Sequence, residues 1–411
     1  MIALIGGKLI NGTGANPIEN SAVLVEGRHI KDVCPKVHIA IGEGCEVIDI
    51  SGKTILPGLM DLHVHLHIGE SDRIVPSGGL PPELNQLLTY IGIKGFAHAR
   101  RALDMGFTTL RDAGDVGYLS VALREAIQKD LVEGPRIVAS GQWLSATGGH
   151  ADYLPYWVKR IDDESNVADG PEGILKAVRR QIKMKTDWIK LYVTGGIMDP
   201  EDKQEFNDVE LKTAIDEAHA KGKSVMGHCM YAEGALAGIK AGLDTIEHGT
   251  VLTEEVIELM LERGVSLIPT LTVGRSIVEH GAEFGLPEVY LERFKPVLEI
   301  GRRSFQNALA AGVNIAFGTD AGFNVMLHGE NGKEFQTLVD YGMSPMQAIQ
   351  TATIKAAQVL RMEDRLGTIE KGKLADIIVI DGDPLETVSV FQKQENFVLI
   401  MKEGVIYKRS L

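Results

Sequence analysis

The chain has 411 residues, 44% of them apolar and 24% charged, with a formal net charge of −14. This is the composition of a globular protein large enough for one big domain and one small one. The acidic balance, without any basic block, argues against nucleic acid and anionic membrane as partners, and no stretch of 18 apolar residues marks a membrane span.

The N-terminal Met1-Ile2-Ala3-Leu4-Ile5 turns at Gly6-Gly7 without a basic stretch before it, and reads as a first strand, not a signal peptide. The three cysteines, Cys34, Cys45 and Cys229, are odd in number. Their spacing fits neither a disulfide framework nor a thiolate metal site, so a reducing, cytoplasmic setting is expected. Residues 1–56 hold short apolar runs separated by turns, such as Ala22-Val23-Leu24-Val25 and Glu46-Val47-Ile48-Asp49. The last fifty residues look alike, with Ile377-Ile378-Val379-Ile380 and Phe397-Val398-Leu399-Ile400-Met401. Neither end is large enough for a core of its own. Residues 1–56 and 362–411 are therefore expected to share one small β-sandwich, with 57–361 as a separate inserted domain.

The most informative run follows: Ile55-Leu56-Pro57-Gly58-Leu59-Met60-Asp61-Leu62-His63-Val64-His65. Residues two apart on a strand point to one face, so His63 and His65 can grip one metal ion from a strand end. The Gly- and Pro-rich segment from Gly69 to Pro82 is expected to be a lid or a subunit-contact loop. From there, short apolar strands alternate with helical stretches, the pattern of βα units on a parallel sheet. Strands are expected to end near His65, Asp112, Ser140, Val193, His228, His248, Thr270 and Thr319. Helices are expected at 83–105, 118–131, 172–185, 208–221, 231–241, 253–263, 287–311 and 344–361. Eight such units predict an α/β fold built as a closed (β/α)8 TIM-like barrel. The rival open, doubly wound sheet lacks a Gly-x-Gly-x-x-Gly run opening a helix.

Barrel active sites sit at the C-terminal strand ends. Those ends carry His63 and His65, then Lys190, His228, His248 and Asp320. Alone, His228 or His248 would more often be a hydrogen-bonded strand-end histidine, and Asp320 a turn former. A lysine inside Trp188-Ile189-Lys190-Leu191-Tyr192-Val193 is stranger, because burial pushes an ammonium toward its neutral form. Four histidines, one lysine and one aspartate gathered on five strand ends are hard to explain as packing.

With these motifs the chain resembles the amidohydrolase superfamily over nearly its whole length. Leu56-Pro57-Gly58-Leu59-Met60-Asp61-Leu62-His63-Val64-His65 resembles its first-strand signature, and Ile246-Glu247-His248-Gly249 and Gly318-Thr319-Asp320-Ala321-Gly322 resemble its sixth- and eighth-strand signatures. Leu366-Gly367-Thr368-Ile369-Glu370-Lys371-Gly372 resembles the return into its small β-domain. The resemblance implies the two-metal subtype. His63, His65 and Asp320 would hold one divalent ion and His228 and His248 the other. Lys190, carboxylated by carbon dioxide, would bridge both. Zinc is the expected ion, with manganese or cobalt as substitutes. Asp320 would carry a proton from the attacking water to the leaving amine.

Within the superfamily the chain is most similar to the imidazolonepropionase-related branch that contains Xaa-Pro dipeptidases and Xaa-Arg/Lys carboxypeptidases. Thr147-Gly148-Gly149-His150 and His328-Gly329-Glu330-Asn331 carry that likeness and make His150 and His328 candidate substrate contacts. Two residues after the strand-five histidine that branch usually has a polar ring. Here Met230 stands there, followed by Tyr231, which is the candidate to take the role. Arg275 is expected to be a solvated loop residue. The resemblance thus implies a dipeptidase, or the same machinery acting on an N-acyl amino acid, a cyclic amide, a phenylurea or a lactone. A catalytically silent scaffold is the remote alternative. A homo-oligomer acting on a small molecule or dipeptide is expected.

Overall fold

The computed structural model describes residues 1–38, 42–69, 86–152, 166–197, 204–323 and 325–411. The loop expected between Gly69 and Pro82 lies, apart from Gly69, outside the described residues.

Apolar strands from the two ends of the chain pair with each other. The N-terminal part supplies β1 (Ile2–Ile5), β2 (Lys8–Leu9), β3 (Ser21–Glu26), β4 (His29–Pro35), β5 (Glu46–Asp49) and β6 (Thr54–Pro57). One sheet runs β4-β3-β1-β5. The other joins β2 and β6 to the C-terminal β14 (Ile377–Ile380), β15 (Phe397–Lys402) and β16 (Val405–Arg409), in the order β16-β15-β14-β6-β2. β14 lies antiparallel to β6, with Ile377 opposite Pro57 and Ile380 opposite Thr54. Leu4, Val23 and Ile48 of the first sheet and Ile55, Ile377, Val379 and Leu399 of the second form one buried apolar cluster. Each such side chain contributes roughly 1.5–3 kcal/mol relative to exposure.

The middle of the chain is mixed α/β. A parallel sheet holds β7 (Leu59–Val64), β8 (Phe107–Asp112) and β9 (Arg136–Ala139). A second holds β10 (Trp188–Tyr192), β11 (Ser224–Cys229), β12 (Thr245–His248) and β13 (Ser266–Ile268). Helices follow the strands: α1 (Leu88–Asp104), α2 (Leu119–Gln128), α3 (Gly170–Lys183), α4 (Asp208–Ala220), α5 (Ala232–Ala241) and α6 (Glu254–Arg263). After β13 come α7 (Leu271–His280), α8 (Glu288–Ala311), α9 (Lys333–Asp340), α10 (Pro345–Gln350) and α11 (Ala356–Val359).

The eighth expected strand, ending at Thr319, is an extended run without regular strand pairing. It still bonds on both sides. Leu267 N–H donates to Asn314 O at 2.9 Å and Leu62 N–H to Phe317 O at 2.9 Å. Asp320 N–H donates to His63 O at 2.7 Å and His65 N–H to Ala321 O at 2.8 Å. The ladder is interrupted because Phe317 N–H is drawn off to Thr351 O, 3.0 Å away in a π-helical turn, Thr351–Lys355, between α10 and α11. That turn also breaks the helix expected at 344–361. Between β9 and β10, Asp187 N–H donates to Ala139 O at 2.7 Å. Gly318 is needed where the strand ends converge: a Cβ there would stand 2.3 Å from Ile268 and 2.9 Å from the His63 side chain.

Two helices, α7 and α9, fall outside those expected. The start of α7 has no side-chain cap of its own. Instead Glu334 of α9 accepts from Leu271 N–H at 2.9 Å and Thr272 N–H at 2.8 Å. A cap supplied from 62 residues away leaves no local signal.

Candidate metal centre

His63 and His65 leave the end of β7 on the same face, as their spacing predicts, and each is fixed through Nδ1. His63 Nδ1 meets Glu247 Oε2 at 2.6 Å, and His65 Nδ1 donates to Gly114 O at 2.9 Å. These bonds aim Nε2 of both rings at Asp320, whose Oδ1 lies 3.6 Å from His63 Nε2 and 3.3 Å from His65 Nε2. The three ligand atoms lie within 4.8 Å of one another, so this set can hold one ion.

The other strand ends converge on the same place. The His248 ring stands 4.9 Å from that of His63 and 4.5 Å from that of His228. Lys190 is buried inside β10, with Nζ 5.4 Å from the Tyr192 ring. Glu247 and His248 are neighbours in sequence, and on an ideal strand they would face opposite ways. His248 turns inward because its backbone is left-handed, φ +70°, and Asp320 does the same at φ +59°. Thr270, also left-handed at φ +45°, bonds His248 Nδ1 through its hydroxyl at 2.7 Å. Residues other than glycine adopt this conformation at a cost of about 1–3 kcal/mol, and such residues cluster at functional sites.

Burial holds His63 and His228 well below the usual imidazole range and His248 down to about 4. All three are therefore neutral, the form that binds metal. Burial pushes the Lys190 amine down to about 8. Burial alone would raise the Asp320 carboxyl, but the His65 imidazole beside it holds it well below the usual carboxylate range. His63 Nε2, His228 Nε2 and Asp320 Oδ1 are buried and have no hydrogen-bond partner among the described residues. Native proteins rarely leave such atoms orphaned. Two of them, His63 Nε2 and Asp320 Oδ1, face one another at 3.6 Å, and the third, on His228, stands beside the His248 ring, an arrangement of imidazoles and a carboxylate that fits divalent ions.

The remaining expected residues are distributed around this centre. His150 stacks on His228, ring centres 4.9 Å apart. Its loop is held by Glu205, which accepts from His150 N–H at 2.7 Å and from the Ser145 hydroxyl at 2.8 Å. A Cβ on Gly149 would stand 2.2 Å from that carboxylate, and Gly148 before it is left-handed at φ +74°, which together explain the paired glycines before His150. Tyr231 stands at the N-cap of α5. Met230 before it is buried, and its sulfur accepts from the Thr250 hydroxyl at 3.4 Å. His328 is seated against the ligand strand: Nε2 donates to His65 O at 3.1 Å and the ring stacks on His98 at 4.5 Å. Arg275 belongs to α7, not to a loop, and pairs with Glu279 at 2.8 Å and Asp340 at 2.7 Å.

Sequence reasoning passed over the supports. Glu247 ties His63 to Arg111, whose Nη2 donates to Glu247 Oε1 at 2.8 Å and whose Nε donates to Leu62 O at 2.6 Å. Arg111 is fully buried against the Trp188 ring, 4.6 Å away. Asp61 accepts from the Thr319 hydroxyl at 2.6 Å and Asn331 Nδ2 at 2.7 Å, pinning the Asp320 segment to β7. The signal that exposed Lys190, a charge within an apolar strand, was equally present for Arg111 in Phe107-Thr108-Thr109-Leu110-Arg111-Asp112.

Among known proteins, residues 54–407 match the Amidohydrolase family. Ochratoxinase of Aspergillus niger is 30% identical over 98% of this chain and 86% of its own length. A crystal structure of a Xaa-Pro dipeptidase with bound methionine in the active site superposes with a TM-score of 0.88 at 36% identity, covering 99% of both chains. A prolidase complexed with N-methylphosphonate-L-proline superposes with a TM-score of 0.89 at 30% identity, covering 100% of both chains.

Proposed function

The chain belongs to the amidohydrolase family and is a hydrolase of carbon–nitrogen bonds, and from that premise we propose that it is a two-metal dipeptidase or carboxypeptidase of the Xaa-Pro or a related L-Xaa-L-Xaa type. The buried group of His63, His65 and Asp320, whose ligand atoms lie within 4.8 Å of one another with the His248 and His228 rings beside it, carries this reading. His63, His65 and Asp320 would hold one divalent ion, His228 and His248 the other, with Lys190 as a carboxylated bridge. A neutral amine is the form that reacts with carbon dioxide, and the lowered Lys190 favours that step. Zinc suits the nitrogen and oxygen donors. When bound, such ions polarise an amide carbonyl and acidify a water.

The chain's own residues then do the rest. Glu247 and the Gly114 carbonyl fix the first two imidazoles, so the site is preorganised before substrate arrives. Asp320 Oδ1 has no competing protein partner among the described residues and is free to take the proton of the attacking water. The same carboxyl delivers it to the leaving nitrogen. His150 and Tyr231 are assigned as substrate contacts. We give His328 the task of bracing the His65 carbonyl in place of the substrate contact expected from its loop.

We read the two parallel sheets and the 314–321 run as one closed (β/α)8 barrel spanning 57–361. The bonds that run from β13 to 314–316, from 317–321 to β7 and from β9 to β10 support closure. We read the two terminal sheets, 1–56 with 362–411, as a β-sandwich, supported by their common apolar cluster. No helix of the described residues is long and apolar enough to cross a membrane. Free Cys34, Cys45 and Cys229 favour a cytoplasmic setting, where we place the enzyme as a homo-oligomer.

The test is hydrolysis of a library of dipeptides and N-acyl amino acids by the zinc-loaded enzyme, followed by amino-acid release. Turnover of one C-terminal class is expected. Silence across the library from protein carrying about two metals per chain would sink the dipeptidase reading. It would favour the second reading, a non-peptide amide. The apolar Met230, where a polar ring was expected, and a relative named for ochratoxin support that alternative.

A further inference from the structure

A third histidine continues the spacing of the first two, in His63-Val64-His65-Leu66-His67, and nothing above uses it. His67 is 1% exposed, and neither of its ring nitrogens has a hydrogen-bond partner among the described residues. An imidazole always carries at least one N–H donor, whatever its tautomer, and burying that donor unpaired is unfavourable. The two carbonyls just before it in sequence each hold another histidine: His98 takes the Leu66 carbonyl at 2.9 Å and His328 the His65 carbonyl at 3.1 Å.

The position is informative. The His67 ring lies perpendicular to that of His65, 5.9 Å away, and 5.6 Å from the Trp143 ring. Trp143 stands 6.5 Å from Tyr192, which in turn stands 4.9 Å from His228. An unbroken wall of rings thus leads from one ligand pair to the other, and His67 ends it beside His65. Lys94 is a cation among the ionisable groups that act on His67. A site with an unpaired N–H, a cation and aromatic walls suits an anionic oxygen on an otherwise apolar group.

We propose that His67 is a substrate-binding residue that donates a hydrogen bond to a carboxylate oxygen of the amino acid released by hydrolysis. The assignment rests on the amide-hydrolase reading of the same site.

The experiment compares free-acid dipeptides and N-acyl amino acids with the same compounds as C-terminal amides, on the metal-loaded parent, His67→Phe and His67→Gln. His67→Phe keeps the ring and removes the donor, so KM for the free acids should rise about tenfold or more, with kcat within about threefold. KM for the carboxamides should be unchanged, and metal content should equal the parent's. His67→Gln keeps an N–H and should recover most of the loss. An equal rise for acids and amides would overturn the assignment, because it reports shape and not charge. So would an unchanged KM, or a loss of metal from His67→Phe. If the metal-loaded parent cleaves neither series, the dipeptidase reading fails first and the assignment falls with it.

Discussion

Asp320 combines two demands in one residue. Its backbone sits at φ +59°, and its side chain must present a bare oxygen to the two nearest imidazoles. Asparagine tolerates the left-handed region as well as aspartate does, so Asp320→Asn should keep the fold. It removes the proton carrier, and turnover should fall about 10²–10⁴-fold. Steady-state rates with an unchanged melting curve would check this, and near-normal turnover would sink the role. Glu247 demands more of its neighbours. One oxygen holds His63 and the other holds a fully buried Arg111. Glu247→Gln leaves that cation without a charged partner, which should cost on the order of 3 kcal/mol. Through His63 it should also weaken metal retention about 10–100-fold. Metal content after dialysis against a chelator, beside a urea melt, separates the two effects. Full retention of metal would show that Glu247 does not act through His63.

At the scale of elements, α7 depends on a carboxylate from another helix. Burial pushes Glu334 from its ordinary 4.5 up to about 7, although Thr272 and two backbone N–H groups pull it back. Its native value lies above its unfolded one, so it contributes stability that is complete below about pH 4.5 and lost as pH rises through about 7. That difference amounts to on the order of 3 kcal/mol. Glu334→Gln mimics the protonated acid and does not titrate. Relative to the parent, it should be comparable near pH 4.5 and more stable by pH 8, as read from paired urea midpoints. A pH-independent difference would defeat this account. The same dependence on distant partners explains what sequence could not show. His63, His65, His228 and His248 were legible because each ends a short apolar strand, a local pattern. The α7 cap was not legible, because Glu334 lies 62 residues on. The left-handed turns at His248, Thr270 and Asp320 were also illegible, because none is marked by glycine. The eighth strand was legible as an extended apolar run. Its interruption depends on where Phe317 N–H goes, and no periodicity records that.

Across the whole molecule, a buried polar junction ties the terminal sheets to the middle. Arg136 opens β9 and reaches Asp376 and Glu403, at 2.7 Å each. Asp376 also accepts from Glu403 N–H at 2.9 Å through its side chain and from Gly58 N–H at 2.8 Å through its carbonyl. Nearby, Lys402 Nζ donates to Gly134 O at 2.6 Å. These groups are largely buried, so removing the arginine strands Asp376 in a poorly solvated place and leaves Glu403 only the more exposed Arg28. Arg136→Met should therefore destabilise by about 3 kcal/mol, well above the 0–1 kcal/mol of an exposed pair. The junction stands at the start of β9, whereas the ligands stand at the ends of their strands. Turnover at 25 °C should accordingly survive while heat resistance falls. Scanning calorimetry should show a lower transition, and one that splits if the junction is what makes the two parts unfold together. An unchanged single transition would mean that other contacts, such as Gly58 N–H to Asp376 O and Lys402 Nζ to Gly134 O, couple the parts without help from Arg136.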